Sequence, residues 1–384
     1  MLTKNVGTET IEISSARVQS FESLAEPICG GAEITSDLYS KYRWNRNGRP
    51  VDSFKFAKSC EEQWDAEFSY LGPVIPHFGH FMAEGAHRFL LAPAKMKCGD
   101  WLLVSSPPLG IRYFNDLPTW FKDALLYLGM FAEQVSILNK DVLIKTLNIT
   151  AQSAQLGMPP SDVYVEALRE LASQRFWGEL PSKYNGNRIY VSRSVLTGQG
   201  NILGERYLES ILQNEGYLII RPETMSLRKQ LAAYLDAEII IFPEGSAIHG
   251  VELLGNNLKT VAVMCRRPDS RHIFESVLRK RAQNLMFLEN PFEIGTVDVH
   301  PSNGRLLMER SQAMFSYDAT CRFFRDHSLA CLTSFKKDEY YKSSLDDLAI
   351  YVDASMKRHD VAHVADSDIK KLFFKFQEFI SAGF

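Results

Sequence analysis

His80 and Glu84 stand four residues apart in a stretch that reads as a helix, so both side chains fall on one face. An imidazole beside a carboxylate is equipment for proton transfer: the acid orients the ring or takes the proton itself. A polar helix surface would carry the same pair, and both readings stand at this point. His77 and His87 lie close by, but no HExxH forms and a zinc site is not expected. A second group follows directly on three short apolar runs. It comprises Ser192-Arg193, then Arg221-Pro222-Glu223-Thr224-Met225-Ser226, then Pro243-Glu244-Gly245-Ser246-Ala247-Ile248-His249. These segments offer a guanidinium, carboxylates and small residues at the start of a helix. Bare backbone amides and a positive helix end there suit a diphosphate. Ser246 serves equally well as a simple N-cap.

The loop Gly198-Gln199-Gly200-Asn201-Ile202-Leu203-Gly204 needs separate treatment. It is GxGxxxG rather than the GxGxxG that seats a dinucleotide pyrophosphate, although Glu223 lies about where a ribose-binding acid would. Three readings are open: a nicotinamide-dependent oxidoreductase, a plain flexible loop, and a loop that closes on another phosphate ligand.

The elements that must position these residues are clearest between 188 and 264. Strand 188–193, helix 205–214, strand 217–221, helix 226–235, strand 238–242, a short helix 247–254 and strand 259–264 alternate. That is the pattern of right-handed crossovers in a parallel, doubly wound sheet, whose ligands bind beyond the carboxyl ends of the strands. Upstream, the periodicity predicts helix 80–91, strand 101–104, helix 117–131, strands 135–138 and 142–144, and helix 161–173. Residues 1–70 show no clear pattern, and 174–187 reads as a linker with Pro181 and an Asn185-Gly186 turn. Downstream come a basic stretch from Arg266 to Arg281, strand 285–288, helix 311–326 and two tail helices from about 343. The last, 368–380, puts Ile369, Leu372, Phe373, Phe376 and Ile380 on one stripe beside Lys370, Lys371 and Lys375. Such a helix docks back on the N-terminal domain, lies on an anionic lipid surface or pairs with a second copy.

The 384 residues allow two or three domains at roughly 150 residues each. With 45% apolar and 23% charged residues the chain is globular, and 43 − 46 gives a net charge of −3. No nucleic-acid partner is expected from that balance. Six cysteines (Cys29, Cys60, Cys98, Cys265, Cys321 and Cys331) form no CxxC, so reduced thiols in a cytoplasmic protein are expected. No leader peptide and no run long enough to span a bilayer are visible.

Three segments together resemble glycosyltransferase family 61, whose bacterial members are often capsular polysaccharide biosynthesis proteins. His77-Phe78-Gly79-His80-Phe81-Met82-Ala83-Glu84 is similar to the family's N-x-x-H-(F/W)-x-x-(D/E) segment. Arg188-Ile189-Tyr190-Val191-Ser192-Arg193 is similar to its R-x-Y-(V/I)-S-R strand. The longest match runs from Arg221-Pro222-Glu223-Thr224-Met225-Ser226 to Glu244-Gly245-Ser246-Ala247-Ile248-His249. The chain departs from the family at Asn201-Ile202-Leu203-Gly204-Glu205, where an R-x-x-N-E motif keeps only its Glu.

The resemblance implies an α/β fold of GT-B type, two Rossmann-like domains with a C-terminal helical tail. Its segments would be an acceptor-side domain over 1–175, a nucleotide-sugar-binding domain over 188–312 and a helical tail over 313–384 packed back on the N-terminal domain. It implies an inverting transferase that uses a nucleotide-sugar donor and a saccharide or lipid-linked saccharide acceptor. No cofactor and no metal are expected, since the one DxD-like run, Asp366-Ser367-Asp368, sits in the tail. Glu84 is the first expectation for the base and His80 the second. Arg193, Glu223, Ser226, Glu244, Gly245, Ser246, Ala247 and His249 are the expected donor contacts. The inner face of the membrane, peripheral contact with it, and a homodimer belong to the same set of expectations. The competing reading is an inactive carbohydrate- or nucleotide-binding scaffold in a polysaccharide assembly complex.

Overall fold

The computed structural model describes residues 9–24, 28–55, 62–176 and 187–382. The expected linker therefore falls mostly outside the described residues.

Seven strands from the first 150 residues form one mixed sheet. They are β1 (Thr10–Ser23), β2 (Ile28–Ala32), β3 (Asp52–Ser53), β4 (Gln63–Pro73), β5 (Trp101–Val104), β6 (Val135–Leu138) and β7 (Val142–Thr150). The order is β3-β2-β1-β7-β4-β5-β6. The pairs β7-β4, β4-β5 and β5-β6 are parallel, whereas β1 runs antiparallel to both β7 and β2. The long β1 carries no simple alternation because Ser15 breaks it at φ 52°. The expected strand 142–144 extends to Thr150, and it pairs with residues 10–18 of β1 and with the first half of β4.

The expected helix 80–91 does not form. One α-turn, Phe78–His80, runs into a wider π-turn, Phe81–Gly85, in which the Ala86 N–H reaches the Phe81 carbonyl five residues back. Gly85 explains the change, because a Cβ there would lie 2.6 Å from the Phe81 ring, which fills that space. The helix expected over 117–131 is α1 (Thr119–Leu128), begun after Pro118 and ended by Gly129 at φ 102°. Helix α2 (Asp162–Phe176) follows.

The second sheet is fully parallel, as the alternation of short apolar runs and helices requires. It holds β8 (Arg188–Val191), β9 (Tyr217–Ile220), β10 (Ile239–Pro243), β11 (Leu258–Met264) and β12 (Ala282–Leu288) in the order β9-β8-β10-β11-β12. Helices α3 (Glu205–Asn214), α4 (Leu227–Asp236) and α5 (Arg271–Leu278) connect them. The link after β10 is an eight-residue 3-10 helix, Ser246–Leu253. Strand order reverses between β8 and β10, which leaves a crevice at their carboxyl ends.

Two small strands follow, β13 (Phe292–Gly295) and β14 (Gln312–Met314). The helix expected over 311–326 is thus a strand, then α6 (Tyr317–Asp326) capped by Ser316. Helices α7 (Lys337–Met356) and α8 (Asp366–Ser381) form the tail. Their packing differs from the expectation. Leu372, Phe376 and Phe379 join a cluster with Tyr190, Ile241 and Met264 of the parallel sheet, and every buried member of that cluster lies at or after Tyr190. The apolar stripe of α8 is thereby covered by β13 and α7 rather than by the N-terminal sheet.

Among the described residues no helix is long and apolar enough to cross a membrane, and the five described cysteines are free thiols.

Candidate active site

The π-turn at Phe81–Gly85 still keeps His80 and Glu84 on one side, with His80 Nδ1 2.6 Å from Glu84 Oε1. Glu84 is buried and its other oxygen accepts from Trp44 Nε1 at 2.7 Å and Arg46 Nε at 2.5 Å. Burial alone would push its carboxyl up, but the hydrogen bonds from His80 and Arg46 outweigh it and hold the group below the ordinary carboxylate range. An ionised carboxylate only accepts, so His80 donates to it from Nδ1 and turns Nε2 away from the pair. The His80 side chain is 40% exposed while that of Glu84 is fully covered. Of the two, His80 is the one that can meet a substrate. Trp44 and Arg46 are functional neighbours that sequence reasoning missed. They come from the unpatterned first seventy residues, and only tertiary contact brings them to Glu84.

His77 caps the same turn, its ring 4.9 Å from that of His80. Burial, with His80 and His249 alongside, lowers its pKa. Among the described residues no group of three or more His, Cys, Asp or Glu side chains is arranged to hold a metal ion.

A pocket of about 360 Å³ opens at the carboxyl ends of β8, β9 and β10. Arg193, Glu223, Ser226, Ser246 and Ala247 border it, together with Phe78, Thr119, Trp120 and Asp123 from the N-terminal half. Trp120 and Asp123 on α1 were also missed, since an amphipathic helix of ordinary composition gives no sign of which rim it faces. Ser226 doubles as the N-cap of α4, accepting from the Lys229 N–H.

Arg193 is the charged centre of this pocket. Its guanidinium donates to the Gly200 carbonyl at 3.0 Å, while its buried Nε has no partner. Among the described residues no carboxylate lies within ion-pair distance of it. Burial lowers its pKa, with Glu205, Glu244 and Glu223 opposing at longer range. Gly245 lies directly against this guanidinium, and a Cβ there would collide with it.

The remaining expected contacts sit elsewhere. Glu244, Gly245 and His249 do not border the pocket. Glu244 is buried and accepts from the N–H groups of Arg266 (2.7 Å) and Arg267 (2.9 Å), from Ser270 Oγ (2.6 Å) and from Arg267 Nε. It fastens the loop after β11. His249 bonds Glu252 through Nδ1 at 2.7 Å.

The Gly198–Gly204 loop is no pyrophosphate seat. The N-terminus of α3 is already taken, because the Gly204 N–H donates to Asp347 of the tail at 2.9 Å. Glu205, the retained acid of the altered motif, is buried and accepts from the Arg193 N–H and the Tyr190 hydroxyl. Asp366 and Asp368 lie in the first turn of α8, and Asp368 pairs with Lys371.

No curated protein matches the chain. The sequence model of glycosyltransferase 61, however, matches residues 78–261, a span that runs from the turn bearing His80 through every strand that edges the pocket. Residues 78–261 of the chain therefore match glycosyltransferase family 61, and the reaction class that this match implies is glycosyl transfer.

Proposed function

We propose that the chain transfers a sugar, with inversion, from a nucleotide-sugar donor to a saccharide acceptor, and that His80 is the base. One observation carries the reading: a half-buried guanidinium without a carboxylate partner, Arg193, faces a pocket whose other wall carries Phe78, two residues from His80. An inverting transfer needs a base on the acceptor hydroxyl and a stabiliser for the departing diphosphate. His80, held by Glu84, supplies the first. Arg193 and the backbone amides at Ser246 and Ala247 supply the second without a metal ion.

In this reading the order of the two catalytic expectations is reversed. Glu84 is too deeply covered to reach an acceptor, so it orients the ring and stabilises the imidazolium as the proton arrives. The two sheets then act as the acceptor-side and donor-side halves of a GT-B-type pair, divided near 175–188. The mixed N-terminal sheet makes its half a distant variant of a Rossmann-like domain. Capsular or related polysaccharide synthesis in the cytoplasm, with a lipid-linked acceptor, is the setting that fits such a reaction.

Two measurements test the proposal. Isothermal titration with UDP, GDP and CMP should reveal one nucleotide bound by the wild type. Mass spectrometry against a panel of nucleotide sugars should then find its donor hydrolysed or transferred. Absence of both would leave the non-catalytic scaffold.

A further inference from the structure

The 3-10 helix after β10 is eight residues long, whereas runs beyond three or four are uncommon. Its geometry has three residues per turn, so side chains at i and i+3 eclipse one another. Ser246, His249 and Glu252 are spaced in that way and form one row. Ser246 borders the pocket. His249 comes next, then Glu252, buried behind it with His249 Nδ1 2.7 Å from its Oε1.

The row lies against the turn that bears His80. A Cβ on Gly79 would stand 3.0 Å from His249 Cδ2 and 3.2 Å from Ser246 Cβ. The absent side chain at position 79 is what lets the imidazole edge carrying Nε2 approach that turn. Two imidazole–carboxylate pairs thus meet at one glycine: His80–Glu84 from the N-terminal sheet and His249–Glu252 from the parallel sheet.

Glu252 is held in turn. Its second oxygen is 3.9 Å from His87 Nε2 and 4.0 Å from an Arg281 nitrogen, and these buried nitrogens have no direct partner. Arg281 donates to the Val277 carbonyl, and His87 Nδ1 pairs with the Tyr164 hydroxyl. Burial pushes His87 down to about 4, so the ring is neutral at pH 7. A lone charge, Arg281, therefore sits behind Glu252 in the core.

We propose that Glu252 is a positioning residue of the transfer reaction. Through the Nδ1 bond it fixes the His249 ring, whose edge packs against Gly79 beside Ser246, and so holds the turn that bears His80 against the wall of the pocket. The inference rests on the glycosyltransferase reading. It adds a residue whose action is indirect and whose loss should lower turnover rather than donor affinity.

The test is a mutant cycle of Glu252→Gln, His249→Gln and the double variant, measured on the nucleotide sugar that the wild type turns over. Folded fraction is matched by circular dichroism. The expected result is a fall in kcat of about tenfold or more in each single variant, with KM within about threefold, and a double variant no slower than His249→Gln alone. Gly79→Ala should mimic the loss, since its Cβ presses on the same ring. A merely structural Glu252 would lower melting temperature yet leave kcat per folded molecule unchanged, and that outcome overturns the proposal. Multiplicative losses in the double variant overturn it as well. If the wild type binds no nucleotide and turns over no donor, the glycosyltransferase reading falls and this one with it. An active wild type with an equally active Glu252→Gln removes this inference alone.

Discussion

Replacing Glu84 by glutamine changes one atom and should disable the base through its tautomer. Trp44 and Arg46 donate to one carboxylate oxygen and His80 to the other. An amide offers one oxygen and one NH2, so it suits only one side. The charged Arg46 has the stronger claim on the oxygen, and the NH2 then faces His80. The ring must accept at Nδ1 and carry its proton on Nε2, where the wild type holds the lone pair for the acceptor hydroxyl. The cost in rate is on the order of 10²–10⁴, as for a general base in the wrong tautomer. The cost in stability is about 1–3 kcal/mol for one charge-assisted hydrogen bond, so the variant should fold. Donor turnover by mass spectrometry at matched folded fraction reads the first number, and thermal unfolding reads the second. His80→Ala completes the test: added imidazole should restore part of its rate. A Glu84→Gln enzyme within about threefold of wild type, or a His80→Ala enzyme that is active without imidazole, would refute the assigned roles.

Other expectations follow from the same geometry. Arg193→Ala should weaken binding of the nucleotide that the wild type takes by roughly 10- to 100-fold, the loss of about 1.5–3 kcal/mol from one charged hydrogen-bonding group; unchanged affinity in titration calorimetry would remove Arg193 from the donor site. Burial pushes Glu205 up to about 8, so its contribution to stability is full below the ordinary carboxylate value and is lost as pH rises through about 8. Glu205→Gln should match wild type in melting temperature near pH 5 and exceed it near pH 9, and parallel curves would count against that shift. The depressed Glu84 works in the opposite sense: its contribution is present above the ordinary carboxylate value and disappears as pH falls through the lower folded value. Deleting residues 366–384 should give a poorly soluble protein, because it uncovers Phe292 and Tyr341 beneath Phe379. A truncated protein that stays folded and merely stops sedimenting with anionic vesicles would instead make α8 a membrane contact.

The parallel sheet was legible because its strands are short, apolar and separated by helices of about ten residues, a pattern that few other arrangements share. The residues after β8, β9 and β10 could be placed at one crevice for the same reason. What surrounds Glu84 was not legible. Its partners Trp44 and Arg46 lie about forty residues upstream in a segment without periodicity, and only the folded sheet brings them near. The Phe81–Gly85 turn was misread because a helical spacing of four survives a π-turn, while Gly85 alone hints at the widening. The direction in which α8 packs was equally hidden. Its stripe of Ile369, Leu372 and Phe376 states that something must cover it, and nothing in the stripe says which surface does.

The apolar cluster that begins at Leu71 and ends at Leu278 takes in Phe81, Trp101, Phe121, Ile189, Ile240 and Val261 without interruption. Strands from both sheets and the helices between them therefore share a single hydrophobic interior. The pocket lies on the seam of that interior rather than in a water-filled gap between separately folded bodies. Wide clamshell opening would drag buried aromatic surface into water at a cost of about 25 cal/mol for each Å². Calorimetry should accordingly see one cooperative melting event for this seam. Entry and exit of substrate must then be gated by side chains and short loops at its rim, Trp120 and Leu196 foremost, while the body of the protein stays closed.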